Sequence, residues 1–144
     1  MIGMTELQDV KYIVVHCTGT KPSGTTDARA IHRYHTQQQG YAMIGYHFLV
    51  KTDGTVETGR PLFLQGAHCR AARMNSRSIG VCYVGGVDVS GVNADTRTDE
   101  QKESLSKLIA ELRRLYPNVK VIGHRDVEPN KSCPCFDAIR EYNQ

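Results

Sequence analysis

Apolar, β-branched runs alternate along this chain with segments of helical spacing, and that order confines it to a small set of α/β folds. The first run, Lys11-Tyr-Ile-Val-Val-His16, is long enough for a buried strand and ends in the polar tip His16-Cys17-Thr18-Gly19. After a loop with Pro22 and Gly24, residues Ala28 to Gln39 read as a helix, opened by Thr and Asp capping residues and closed at Gly40. Tyr46 to Val50 and Val56 to Thr58 are strand-like and flank Asp53-Gly54, a strong hairpin signal. Ser78 to Val84 is another strand, followed by Gly85-Gly86. Thr98-Asp-Glu-Gln101 has capping-box spacing and opens a helix through Tyr116. Leu105, Leu108, Ile109, Leu112 and Leu115 define its buried face. Pro117 and Asn118 stop it, Val119 to Gly123 forms a short buried strand leading into His124, and a last short helix follows Phe136. The expectation is a single domain over residues 1–144, with a central mixed β-sheet flanked by helices.

Size agrees with this: 144 residues, 40% of them hydrophobic, suit one domain with one core. A charged fraction of 23% argues against wholesale disorder. The net charge of +3 comes without a Lys/Arg stripe or tail, so nucleic-acid binding is not expected, while weak attraction to a polyanionic surface is compatible. Met1 to Lys11 carries Glu6 and Asp9 and no apolar core of signal-peptide length. No stretch approaches the roughly 20 apolar residues that cross a bilayer. Synthesis in the cytoplasm, no membrane insertion, and delivery by another route to any substrate outside are therefore expected. Nothing in the sequence suggests more than a monomer. The five cysteines (Cys17, Cys69, Cys82, Cys133 and Cys135) are an odd count and read first as thiols or metal ligands.

The polar residues carry the chemistry. His16 and His124 each stand at the C-terminal tip of an apolar strand, where ligands gather in open α/β sheets. If the two strands are neighbours, both imidazoles project into one place. Cys133 lies nine residues past His124 on a Pro-containing loop. Two His and one Cys leave the fourth tetrahedral position on zinc open, as catalytic sites do. On spacing alone His32, His35 and His68 compete as ligands, and Cys135 competes with Cys133.

Several segments resemble the zinc-dependent N-acetylmuramoyl-L-alanine amidases of type 2, especially the small phage lysozymes of amidase type, which are similar in architecture to animal peptidoglycan recognition proteins. These segments are Ile13-Val-Val-His16-Cys-Thr, Gly45-Tyr-His-Phe-Leu-Val50, Asp53-Gly-Thr-Val-Glu57, Ser78-Ile-Gly-Val-Cys82, Val84-Gly-Gly86, Gly123-His124 and Lys131-Ser-Cys133-Pro-Cys-Phe-Asp137. They run in the family's order over nearly the whole chain.

The resemblance implies zinc ligands at His16, His124 and Cys133, because the family's cysteine ligand stands in a Lys-x-Cys-Pro context. It implies that Tyr46 faces the water at the metal and that Lys131 steadies the developing oxyanion. His68 matches a position near the family's substrate groove. Asp126 and Glu128 are candidates to orient the loop or a ligand histidine. The substrate implied is peptidoglycan, cut between muramic acid and L-alanine, in the setting of a phage or prophage endolysin. Some phage amidases of this type also bind and inhibit an RNA polymerase through a surface near the N-terminus; Met1 to Lys11 holds no motif that supports or excludes that partner.

Overall fold

The computed structural model describes residues 4–143; residues 1–3 of the segment Met1–Lys11, and Gln144, lie outside the described residues. Its strands are Tyr12–Cys17 (β1), Phe48–Val50 (β2), Val56–Thr58 (β3), Ser78–Tyr83 (β4) and Lys120–Gly123 (β5). They form one sheet in the order β3-β2-β4-β1-β5. β1 lies between β4 and β5 and runs parallel to both, β2 is parallel to β4, and the β2–β3 hairpin is antiparallel. The sheet is mixed, as the sequence predicted. Parallel strands covered on both faces are apolar without alternation, and Ile13, Val14 and Val15 in succession are fully buried.

Among the described residues three α-helices accompany the sheet, Ala28–Gln37 (α1), Asp99–Leu115 (α2) and Ala138–Tyr142 (α3). Asp27 caps α1 by accepting the Ala30 N–H. At α2 the capping box closes both ways: the Thr98 hydroxyl accepts the Gln101 N–H, and the Gln101 side chain accepts the Thr98 N–H. The Gln101 amide is fully buried and also donates to the carbonyls of Val50 and Val84. One side chain thus caps the helix and ties it to the ends of two strands.

The buried stripe of α2 is narrower than the sequence suggested. Leu105, Ile109 and Leu112 are in the core, Leu108 is half-buried, and Leu115 is 63% exposed. At about 100° per residue, Leu115 lies roughly 80° around the helix from Leu105 and leaves the stripe in the last turn. Among the described residues no helix is long and apolar enough to cross a membrane.

Candidate metal centre

The parallel pairing of β1 with β5 sets Val15 opposite Gly123. The next residues, His16 and His124, therefore leave the sheet side by side at its carboxyl edge, with ring centroids 4.8 Å apart. The Cys133 loop folds back over this edge, pinned where the Arg125 N–H donates to the Cys133 carbonyl at 2.7 Å and the Tyr83 hydroxyl donates to the Pro134 carbonyl at 2.6 Å. Gly123 makes the approach possible: a Cβ there would stand 2.7 Å from Pro134 Cδ.

These contacts bring Cys133 Sγ to 3.9 Å from His16 Nδ1, and the Cys17 N–H donates to the same sulfur at 3.1 Å. One donor atom each from His16, His124 and Cys133 lies within 4.8 Å of the others. Four-coordinate zinc, with bonds of about 2.0–2.3 Å, needs donors about 3.3–3.8 Å apart, so modest side-chain adjustment would seat the ion. Two imidazoles and a thiolate suit zinc and leave one position open. The donor set fits the group that the resemblance implies.

The competitors are placed elsewhere. Cys135 directs its thiol to the Gly86 carbonyl, 3.4 Å away. His32 and His35, which spacing left in contention as ligands, divide: His32 is exposed, whereas His35 is buried. Their Nδ1 atoms accept the N–H groups of Ile44 and Gly45 and so tie α1 to the segment that carries Tyr46. His47 is buried and spends both nitrogens on backbone, accepting from Gly80 and donating to Leu64.

His68 packs beside His16, its Nδ1 2.8 Å from His16 Nε2. Its other nitrogen lies 3.2 Å from the Ser78 hydroxyl. Behind His124, the Glu128 carboxylate accepts from Nε2 at 3.1 Å, so Nδ1 is the nitrogen not engaged by that carboxylate. Cys69 also borders this ring and forms a second close set with His124 and Glu128. Spacing did not single out Cys69 among the five cysteines, and its adjacency to His68 was the available signal.

Electrostatics separate the two imidazoles. Burial, then the neighbouring His68 and His124, holds His16 well below the usual histidine range. Burial, with His47 and His124 adding to it, brings His68 down to about 3. Both shifts favour the neutral ring, the state that metal coordination requires of an imidazole. His124 moves the other way: the Cys69 thiol raises its pKa against the cost of burial, and Glu128 adds to the rise.

Tyr46 stands on the sheet side of the centre, ring centroid 5.2 Å from His16 and 5.4 Å from His35. Burial, followed by the thiols of Cys82 and Cys133, raises its phenol above the usual range, so it keeps its proton. Lys131 is exposed and lines two clefts. One, of about 280 Å³, is shared with His68, Arg70, His124 and Glu128. The other, of about 520 Å³, is walled by Asn93, Arg125, Asp126, Ser132 and Cys135. Asp126 accepts the Gly123 N–H at 2.7 Å and so braces the turn that delivers His124. The structure thus gathers His16, His124, Cys133, Tyr46 and His68, with Lys131 at the mouth.

Comparison with known proteins agrees with this architecture. Residues 6–136 match the family model of N-acetylmuramoyl-L-alanine amidase. The chain is 39% identical over 139 residues to the endolysin of Enterobacteria phage K11, covering 96% of this chain and 89% of that protein. It is 42% identical over 128 residues to the endolysin of Escherichia phage T7, covering 89% and 82%. Among solved structures it resembles N-acetylmuramoyl-L-alanine amidase LysC from Clostridium intestinale URNW, with TM-score 0.76, 29% identity, and coverage of 96% and 85%.

Proposed function

The chain belongs to the N-acetylmuramoyl-L-alanine amidase family, and we propose that it performs that hydrolysis with zinc held by His16, His124 and Cys133. It is a peptidoglycan amidase of the endolysin type. The observation that carries the ligand assignment is the convergence of those three donors within 4.8 Å from two strand ends and a loop.

When bound, zinc supplies a Lewis acid that polarises the scissile carbonyl and makes water acidic enough to attack it. The protein's own groups do the rest. The negative charge that builds on the carbonyl oxygen as the carbon becomes tetrahedral needs donors placed in advance. The Lys131 ammonium, at the cleft mouth, and the Tyr46 hydroxyl, beside His16, are those donors. Because Tyr46 keeps its proton at rest, it can pass it to the L-alanine nitrogen as the C–N bond breaks and regain the one that the attacking water sheds. His68 contributes a ring edge to the cleft wall along which glycopeptide would lie.

Elemental analysis paired with peptide release from purified peptidoglycan tests the reading. One zinc per chain is expected, with new L-alanine amino ends released by the wild type and by Cys135→Ser. Cys133→Ser should lose both metal and activity. Full zinc retention by Cys133→Ser would overturn the ligand set, and no new amino ends from the wild type would leave a module that only binds the wall.

A further inference from the structure

We propose that His68 and Ser78 are positioning residues, which through a one-way chain of hydrogen bonds fix the tautomer of His16 so that its Nδ1 lone pair faces the metal. This rests on the zinc reading above and adds two residues to it.

The chain of bonds starts at a group that can only accept. The Met74 carbonyl takes the Ser78 hydroxyl proton at 2.5 Å, so the Ser78 oxygen has no proton left for His68. His68 Nε2, 3.2 Å from that oxygen, must therefore be the donor. A neutral imidazole has one donor and one acceptor, which makes His68 Nδ1 the acceptor. His16 Nε2, 2.8 Å away, then carries the proton. His16 Nδ1 is left with its lone pair, and it is this atom that lies 3.9 Å from Cys133 Sγ. A proton on Nδ1 instead would remove the donor from the metal's side of the ring.

The relay is built rigidly. The His68 ring lies flat on positions without side chains: a Cβ on Gly80 would stand 2.6 Å from its Cγ and Cδ2, and one on Gly66 2.5 Å from Cδ2. Asn75 Oδ1 accepts the backbone N–H groups of both His68 and Cys69 and holds the turn beneath the ring. Ser78, Gly80 and Cys82 share β4, which pairs in register with β1, so Ser78 and His16 are held by the same ladder. The partner of a ligand histidine sets its orientation and basicity, and its loss commonly weakens metal binding by about 10–100-fold.

The test reads zinc affinity by competition with a chromophoric chelator, together with nitrogen NMR of the His16 ring in the zinc-loaded protein. Wild type should show a protonated Nε2 and a metal-bound Nδ1 on His16. His68→Leu, which offers no acceptor, should bind zinc about 10–100-fold more weakly. His68→Asn places an amide oxygen near the position of the lost Nδ1 and should restore most of that affinity. Wild-type affinity in His68→Leu would overturn the relay while leaving the zinc site standing, as would a proton on His16 Nδ1. Equal losses in the Leu and Asn variants would reduce His68 to packing, and absence of zinc from wild type would remove relay and metal reading together.

Discussion

The ring of Tyr46 stands 5.2 Å from that of His16 and is tilted 52° to it, close enough to border the proposed metal site. Removing only its hydroxyl separates catalysis from metal binding. Tyr46→Phe is expected to keep one zinc per chain and to lower kcat about 100- to 1,000-fold, the usual cost of losing one donor to a developing oxyanion. Zinc content and initial rates on soluble muramoyl-peptide check this. A rate within a few-fold of wild type would remove Tyr46 from the chemistry.

Lys131 is exposed and its backbone N–H is bonded to the Glu128 carbonyl, so the loop does not depend on its ammonium group. Lys131→Met should therefore leave the urea midpoint and zinc content unchanged. Its kcat should fall on the same order as the Tyr46 variant, about 100-fold or more. A change confined to KM would assign Lys131 to substrate binding instead.

Gly123 and Pro134 meet where the ligand loop crosses the end of β5, and the contact leaves no room for a methyl group. Gly123→Ala should cost about 1–3 kcal/mol as overpacking. Because the displaced atoms lie between two proposed ligands, His124 and Cys133, zinc affinity should suffer as well. Unfolding with and without a chelator measures both: the metal-dependent part of the stability should shrink more than the metal-free part.

Much of this was legible in the sequence, for identifiable reasons. The β1 and β5 strands were readable because parallel strands buried on both faces are uninterrupted β-branched runs, and their histidine tips marked the sheet's carboxyl edge. The α2 start was readable because Thr98 and Gln101 have capping-box spacing. Residue spacing left His32, His35, His68 and Cys135 in contention, since a ligand set drawn from residues 16, 124 and 133 depends on strand order, which spacing does not encode. Resemblance to the family singled out the three. The burial of His35 and the apposition of Cys69 to His124 come from long-range packing between segments with no local pattern to announce it. Leu115 failed in the other direction: it keeps helical spacing but sits in a last turn that is mostly open to solvent.

Arg97 links the loop after β4 to the C-terminal helix, and its contribution should depend on pH. Its side chain is 3% exposed, pairs with Asp95 at 2.9 Å and Glu141 at 2.7 Å, and lies 3.4 Å over the Phe136 ring, three residues beyond Cys133. Burial disfavours ionisation of Asp95, but the Arg97 hydrogen bonds outweigh it and hold the carboxyl below the usual range. For Glu141 the Arg97 bond itself is the leading cause of a lowered value. Carboxyls depressed in the folded state stabilise it above their unfolded pKa, and that stability is lost as pH falls through the folded values. Arg97→Met should thus cost about 2–3 kcal/mol near pH 7, less than a fully buried pair because both carboxylates can rehydrate. At about pH 3, with the carboxyls largely protonated in the variant and the unfolded chain, the gap to wild type should narrow. Urea midpoints for both proteins at the two pH values measure it. A gap of the same size at both would show that stacking on Phe136, rather than ion pairing, is what anchors the end of the ligand loop.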